Sequence, residues 1–202
     1  MSPDTVVFDV GNVLIHWDPR HLFRKLVPNE AEMEHFLAHI ATGEWNLAQD
    51  AGREWAEGVA LLAAAHPHHA PLIHAYRDRW QETVPDAIHG SVAILERLRG
   101  NGVPLYAITN FSAEKWAESL VRFPFLDQFR DTVVSAHERL VKPDVAIYEL
   151  FLKRNGLDAE QCVFIDDSAK NIAGANAAGM QGVHFAGPAA LAAELRGMGF
   201  DV

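Results

Sequence analysis

The chain has 202 residues, enough for one well-formed core, or for a core and a smaller accessory domain. Its hydrophobic content of 49% and charged content of 22% are ordinary for a soluble globular protein. A net charge of −10 argues against nucleic-acid or membrane-surface partners, because both need a basic face. No apolar run is long enough to span a membrane, and the first residues lack the basic region of a secretory signal. The one cysteine, Cys162, cannot form an internal disulfide, which favours the cytoplasm.

The first structured segment predicts a buried strand that carries a carboxylate near its end. Residues 6–10 read VVFDV and are apolar except for Asp9. Gly11 and Asn12 follow, and both residue types tolerate tight turns and positive φ. An aspartate in this position lies where ligands bind in open α/β sheets.

A helical segment follows this strand. From Pro19 to about Val84 the apolar residues recur at helical spacing, which predicts about four helices packed on each other. Asp18 is expected to cap the first of them, with Pro19 in its first turn. The HPHH tract at 66–69 resembles a metal-binding sequence, but its position between two helices predicts a solvated loop.

Strands and helices alternate over the rest of the chain. The sequence predicts strands at 103–108, 131–135, 162–165 and 181–185, and helices at 87–99, 112–121, 143–154, 168–178 and 188–196. This alternation is typical of a parallel sheet with helices on both faces. The predicted fold class is therefore α/β, with a Rossmann-like parallel sheet built from residues 1–16 and 85–202. Residues 17–84 form an inserted helical bundle.

Three of the predicted strands end in polar or acidic residues: Asp9, then Thr109 with Asn110, then Asp166 with Asp167. Parallel strands bring these ends to the same edge of the sheet. Three carboxylates there cannot all ionise unless their pKa values rise or a cation lies among them. Oxygen ligands without histidine or thiolate favour Mg²⁺. The alternative is that the two adjacent aspartates only cap the following helix, although one is enough for a cap.

The same edge has groups suited to an anion. Lys142 precedes Pro143 and a helix, and it would neutralise an anionic intermediate there; the alternative is a solvated surface lysine. Thr109 offers a hydroxyl and Asn110 a backbone N–H near a helix start. Phosphoryl transfer needs such donors, a cation and an in-line nucleophile. Asp9 is the natural nucleophile, because a carboxylate can form an acyl-phosphate.

Four motifs in order make the sequence similar to the haloacid dehalogenase (HAD)-like hydrolase superfamily over nearly its whole length. They are VVFDVGNVL at 6–14, AITN at 107–110, Lys142-Pro143, and IDDS at 165–168 with Asn171 and AGA at 173–175. The nearest likeness is to the subgroup written F-D-x-G-N-V-L, which includes a bacterial α-D-glucose-1-phosphate phosphatase. The inserted bundle at 17–84 matches the family's helical cap.

The resemblance implies Mg²⁺-dependent phosphomonoester hydrolysis through an aspartyl-phosphate on Asp9. The implied substrate is a small phosphorylated metabolite such as a sugar phosphate, and we expect a monomer or homodimer. The implied site residues are Asp9, Thr109 and Lys142 for catalysis, Thr109, Asn110 and Lys142 for phosphate binding, and Asp9, the Gly11 carbonyl, Asp166 and Asp167 for the metal.

One position departs from the family pattern. The family's phosphatases usually carry a second aspartate two residues after the nucleophile, which protonates the leaving group and then activates water; here that residue is Gly11. Loss of a general acid costs roughly 10²–10⁴-fold in rate. We therefore predict a preference for good leaving groups, such as anomeric or acyl phosphates, unless His16 or Asp18 reaches in from the loop.

Two other functions fit the sequence. The family's 2-haloacid dehalogenases also lack the second aspartate and need no metal, but their first motif usually reads Asp-x-Tyr-Gly-Thr, and the pair Asp166-Asp167 would repel a carboxylate substrate. A non-catalytic binding module has only the gap at Gly11 in its favour. The residues predicted to face the substrate from the cap are Trp17, Trp45, Asp50, Arg53 and Trp55, although helical aromatics more often pack in a core.

Overall fold

The central sheet has five strands, described by a computed structural model that covers residues 3–202. They are β1 (Thr5–Phe8), β2 (Leu105–Thr109), β3 (Thr132–Val134), β4 (Cys162–Asp166) and β5 (Gln181–His184). They pair in the order β3-β2-β1-β4-β5, and every pair is parallel. The predicted α/β fold is confirmed, and each predicted strand has its counterpart.

The segment from Pro19 to Val84 contains five α-helices rather than about four. They are α1 (Arg20–Leu26), α2 (Glu30–His39), α3 (Gly43–Asp50), α4 (Trp55–Ala65) and α5 (Ala70–Asp78). The additional helix is α3, because Gly43 begins a helix instead of breaking one. The Thr42 hydroxyl accepts a hydrogen bond from the Trp45 N–H at 3.1 Å and so caps it. The predicted loop between α4 and α5 contains a single 3₁₀ turn, Pro67–His69.

The remaining helices cover the two faces of the sheet. They are α6 (His89–Gly100), α7 (Ala113–Arg122), α8 (Ser135–Glu138), α9 (Val145–Asn155), α10 (Ala169–Ala177) and α11 (Pro188–Gly197). Tyr148 and Phe151 of α9 pack with Val7 on one face. Phe8 points to the other face, in the cluster that continues into the inserted helices. Because both faces are covered, β1 is buried along its whole length, as its apolar sequence predicts.

Two short segments connect the inserted helices to the sheet, and they run side by side. His16 N–H donates to the Asp86 carbonyl at 3.0 Å, and Ile88 N–H donates to the Leu14 carbonyl at 2.8 Å. The insert also contacts the N-terminus of α7, where Trp55 Nε1 donates to Ser112 Oγ at 2.8 Å. Ser112 stands at the expected cap position of α7, but its side chain makes no cap bond, because the hydroxyl is committed to Trp55.

Among residues 3–202, no helix is both long and apolar enough to cross a lipid bilayer.

Candidate active site

The carboxyl ends of β1, β2 and β4 meet at one edge of the sheet. Phe8 of β1 is level with Ala107 of β2 and Ile165 of β4, so the following residues emerge side by side. Asp9 N–H donates to the Ile165 carbonyl at 2.8 Å, which holds the Asp9 backbone against β4. The parallel register therefore brings Asp9 next to Asp166.

Lys142 lies between these two carboxylates. Its Nζ is 2.7 Å from Asp9 Oδ1 and 2.7 Å from Asp166 Oδ2. All three side chains are buried, and the ammonium also stands 5.4 Å from the centre of the Phe164 ring. The sequence left open whether Lys142 is a solvated surface charge, and its burial in this ion pair excludes that alternative.

Asn110 fixes the loop that carries Lys142. Its side-chain oxygen accepts from the Lys142 N–H at 2.8 Å, and its side-chain nitrogen donates to the Lys142 carbonyl at 3.0 Å. Gly174 of α10 supports the same loop from behind, because a Cβ there would lie 2.5 Å from the Pro143 carbonyl oxygen. The Asn110 side chain therefore acts on Lys142, whereas the sequence drew attention only to the Asn110 backbone N–H.

Burial and neighbouring charges perturb the titration of this cluster. Burial raises the pKa of Asp9 to about 7, Lys142 opposes that shift, and Asp166 adds to it. Burial disfavours the charged form of Lys142, yet Asp9 and Asp166 hold its pKa above the usual value. Burial and the Asp166 charge also raise the pKa of Asp167. The site is thus short of positive charge and would gain from a further cation.

Asp166 and Asp167 play different structural parts. Asp166 Oδ1 accepts from Ser168 N–H at 2.8 Å, and both of its oxygens accept from Asn171 Nδ2 at 3.0 Å. With Lys142 as a further donor, each oxygen of Asp166 is engaged. Asp167 is exposed and lines the cavity above the cluster. The helix-capping alternative therefore describes part of what Asp166 does and does not describe Asp167.

Thr109 has a buried hydroxyl that has no hydrogen-bond partner within residues 3–202. The residue is 1% exposed, and its Oγ1 is among the few buried side-chain oxygens left unpartnered there. An unsatisfied buried polar group costs about 1–3 kcal/mol. Thr109 is the last residue of β2, next to Asn110, which lines the cavity, but Thr109 itself does not line it.

The donor set fits a hard divalent cation. Asp9, Asp166 and Asp167 each offer a carboxylate oxygen, and these three oxygens lie within 4.8 Å of one another. Gly11 lines the same cavity as Asp9 and Asp167. Oxygen donors alone, with an excess of negative charge, are typical of Mg²⁺ sites.

A cavity of about 350 Å³ opens between this edge and the inserted helices. Its volume suits a small ligand. The lining residues are Asp9, Gly11, Asn12, Trp17, Gly43, Asn46, Leu47, Asp50, Trp80, Asn110, Phe111, Ser112 and Asp167.

Two of the five residues predicted to face the substrate from the cap, Trp17 and Asp50, line this cavity. The other three are held in packing contacts instead. Trp45 and Trp55 stack edge to face at 5.5 Å, and Arg53 Nε donates to Gln49 Oε1 at 2.6 Å. Trp45 and Trp55 therefore follow the general tendency of helical aromatic residues to pack in the core.

Several lining residues carry no signal that the sequence could have revealed. Asn46 and Leu47 reach the cavity because of how α3 is placed on the sheet, and Trp80 because of how the chain leaves α5. Phe111 and Ser112 directly follow the second motif, so proximity to Asn110 was the one available clue. Asn12 adopts φ 55°, which fits its place in the turn after Asp9.

Known proteins resemble this chain along most of its length. It is 28% identical over 191 residues to the sesquiterpene phosphatase astK of Aspergillus oryzae, covering 94% of this chain and 93% of that protein. It is 30% identical over 198 residues to a glyceraldehyde 3-phosphate phosphatase of Methanopyrus kandleri, covering 87% of this chain and 80% of that protein.

A solved structure shares the fold. The HAD family enzyme BT-2542 of Bacteroides thetaiotaomicron, in complex with magnesium and inorganic phosphate, superposes with a TM-score of 0.71. The match covers 90% of this chain and 93% of that one at 23% identity, a level that speaks for the fold alone. The family model for haloacid dehalogenase-like hydrolases matches residues 3–179. The predicted family is thereby confirmed: this protein is an enzyme of the haloacid dehalogenase-like hydrolase family.

Proposed function

We propose that this protein is a Mg²⁺-dependent phosphomonoester hydrolase that forms an aspartyl-phosphate on Asp9. The observation that carries the proposal is the buried cluster at the cavity floor, in which Lys142 bridges Asp9 and Asp166 at 2.7 Å. The phosphatase names of the relatives from Aspergillus oryzae and Methanopyrus kandleri support the same reaction.

In this proposal the cluster binds and orients a phosphoryl group. Asp9 attacks the phosphorus with its carboxylate oxygen, and the P–O bond to the alcohol breaks on the opposite side. Lys142 offsets the negative charge on the phosphoryl oxygens, and the free Thr109 hydroxyl donates to one of them. The Asn110 backbone N–H is a further donor, and its side chain keeps Lys142 in place.

The metal in this proposal is held by Asp9, the Gly11 carbonyl and Asp167, with Asp166 next to them in the carboxylate cluster. When bound, Mg²⁺ neutralises charge on the phosphoryl group and the carboxylates. The magnesium and phosphate present in the BT-2542 structure support this assignment.

The chemistry of the cavity argues against a haloacid substrate. Its titratable lining residues within the described chain are Asp9, Asp50 and Asp167. The nearby cation is the buried Lys142, which does not line the cavity and is already shared by Asp9 and Asp166, so the surplus of carboxylates remains. A carboxylate substrate would meet net negative charge there. A phosphate ester entering with Mg²⁺ would not, so we favour phosphatase over dehalogenase and over a non-catalytic binding role.

The leaving alcohol is proposed to belong to a small metabolite such as a sugar phosphate. Aromatic side chains of Trp17, Trp80 and Phe111 offer flat apolar faces, and Asn46 offers an amide for hydroxyl groups. The same apolar lining makes a terpenoid alcohol the second candidate, in keeping with the relative named as a sesquiterpene phosphatase.

Residues 17–84, with helices α1 to α5, are proposed to form the cap that covers this site. Cys162 is a free and buried thiol, which is in keeping with the proposed cytoplasmic location, where thiols stay reduced.

The test is hydrolysis of p-nitrophenyl phosphate and of 2-chloropropionate, each with Mg²⁺ and with EDTA. We expect phosphate release that requires Mg²⁺, no chloride release, and loss of turnover in Asp9→Asn. Chloride release without metal would instead establish the dehalogenase. Full phosphate release by Asp9→Asn would contradict the nucleophile assignment. We would then compare kcat/KM for three esters to rank the leaving alcohols: glucose 1-phosphate, glyceraldehyde 3-phosphate and farnesyl phosphate.

A further inference from the structure

The proposed phosphatase reaction leaves one role without a residue. The second residue after Asp9 is Gly11, which has no group to protonate a leaving alcohol. Its φ is not in the left-handed region, and a Cβ at Gly11 would meet nothing within 4 Å. The backbone and the space around Gly11 would therefore admit a larger side chain, and glycine is not there for steric reasons.

The two loop residues that the sequence offered as substitutes do not reach the cavity. His16 and Asp18 are absent from its lining. Asp18 Oδ1 instead accepts from the Arg20 N–H at 2.9 Å and from its guanidinium at 3.3 Å. The predicted cap is displaced by one residue, because Pro19 is the N-cap of α1 and Asp18 precedes it. The Asp18 side chain is nevertheless engaged at the start of α1, and the proton donor must be sought elsewhere.

Asp50 lines the cavity from the side of the inserted helices. It is the last residue of α3, and its Oδ2 accepts from Asn46 Nδ2 at 3.1 Å. Its backbone is tied to the sheet domain, because Ser135 Oγ donates to the Asp50 carbonyl at 2.6 Å. The side chain therefore has a defined position at the point where the insert meets the sheet domain.

In-line displacement decides which side of the phosphorus needs an acid. Asp9 attacks from the sheet edge, so the leaving oxygen departs on the opposite side, toward the inserted helices. Among the described residues that line the cavity, Asp50 is the titratable side chain contributed by those helices. We propose that Asp50 is the general acid and base of this enzyme, in place of the side chain that Gly11 lacks; this inference rests on the proposed phosphatase reaction.

The surroundings of Asp50 suit both roles. Burial raises the pKa of its carboxyl to about 7, and the Ser112 N–H, the Asn46 amide and the Lys142 charge oppose that shift. The other ionisable groups that line the same cavity are Asp9 and Asp167 at the sheet edge, and the charge of Asp50 also acts on the buried Tyr76 of α5. A group that titrates near neutral pH is able to donate a proton in one step and accept one in the next.

The two steps balance. As the Asp9 oxygen bonds to phosphorus, the P–O bond to the alcohol breaks and protonated Asp50 gives its proton to the departing oxygen. Water then enters on the side that the alcohol vacated. Asp50, now a carboxylate, takes a proton from that water as its oxygen bonds to phosphorus. The Asp9–phosphate bond breaks, and free phosphate leaves with Asp50 protonated again.

The test is Asp50→Asn, assayed with Mg²⁺ on a series of phosphate esters whose leaving groups differ in basicity. We expect kcat/KM for an alkyl phosphate to fall roughly 10²–10⁴-fold, and the value for p-nitrophenyl phosphate to fall far less, because nitrophenolate leaves without a proton. Asp78→Asn, the same change at an exposed site on α5, is the matched control and should leave the whole series unchanged.

A second variant separates chemistry from structure. Because the space at Gly11 is open, Gly11→Asp combined with Asp50→Asn should restore alkyl phosphate hydrolysis and return the leaving-group dependence toward that of the wild type. Asp50→Ser, which is smaller, repeats the test if the asparagine variant does not fold. Equal rate losses for every ester, or no loss for alkyl phosphates, would overturn the assignment of Asp50. If the wild type hydrolyses these esters equally well with Mg²⁺ and with EDTA, the proposed function itself is wrong, whatever the role of Asp50.

Discussion

Lys142→Met tests whether Lys142 is needed for the stability of the fold with Asp9 and Asp166 buried side by side. The substitution keeps the length of the side chain but leaves Asp9 and Asp166 buried side by side without the ammonium that lies 2.7 Å from each. Removing one partner from a buried ion pair costs about 3–5 kcal/mol. At roughly 2–4 °C per kcal/mol for a chain of this size, the melting temperature should fall by about 6–20 °C.

The pH dependence has a definite sign. Burial already raises the pKa of Asp9 to about 7, and loss of Lys142 removes a charge that lowers it. A carboxyl with a folded pKa above its unfolded value binds more protons when folded, so stability rises as pH falls toward the unfolded pKa. The free energy of unfolding that Lys142→Met loses relative to the wild type should therefore be larger at pH 8 than at pH 5.

The assay is urea unfolding in EDTA, so that no divalent cation compensates. Lys25→Met is the matched control: its partner Glu82 lies 2.8 Å away, but the lysine side chain is 54% exposed, and such pairs contribute about 0–1 kcal/mol. Adding Asp166→Asn to Lys142→Met should recover part of the loss. If Lys142→Met lowers the free energy of unfolding by less than about 1 kcal/mol, and by the same amount at pH 5 and pH 8, then the buried carboxylates do not depend on Lys142.

Two further substitutions test the parts around the cluster. Thr109→Val should raise the free energy of unfolding by about 1–3 kcal/mol in urea unfolding, because it removes a buried hydroxyl that has no partner, while kcat/KM falls roughly 10²-fold through loss of a phosphate donor. Gly174→Ala should lower both kcat and melting temperature, since the new Cβ would lie 2.5 Å from the Pro143 oxygen and 2.9 Å from the Tyr148 ring. Gly100→Ala, at a helical glycine with nothing within 4 Å, should change neither; equal behaviour of the two glycine variants would contradict the close contact.

Local patterns were enough to predict the sheet and the residues at its edge. The apolar run around Asp9, the alternation of strands and helices, and the polar strand ends each depend on neighbours in sequence. Parallel pairing follows from the alternation, and it brings the strand ends together regardless of side-chain detail. Strand ends were less accurate: 103–108 begins two residues before β2, 181–185 ends one residue after β5, and 131–135 includes Ser135, which begins α8.

The inserted helices were harder to interpret from sequence. Helical spacing of apolar residues predicts helices, but it does not say which end of a helix reaches the sheet. Trp55 and Asp50 looked alike as residues that could meet a substrate. In the structure Trp55 is buried and bonded to Ser112, whereas Asp50 lines the cavity. The difference comes from how α3 and α4 pack on the sheet domain.

By itself the sequence was enough to predict the family, the succession of strands along the chain, and Asp9, Lys142 and Asp166 as site residues. Asp9 and Asp166 belong to short motifs at strand ends, and Lys142 to a short motif in the loop before α9. The sequence also showed that Gly11 occupies the position where the family's phosphatases usually carry the acid/base aspartate. Only the tertiary structure decided which titratable side chain of the insert lines the same cavity as Gly11. Asp50 lies 39 positions after Gly11, and it reaches the cavity because the insert folds back over the carboxyl edge of the sheet. Contacts across such separations come from packing, which no local pattern in the sequence records.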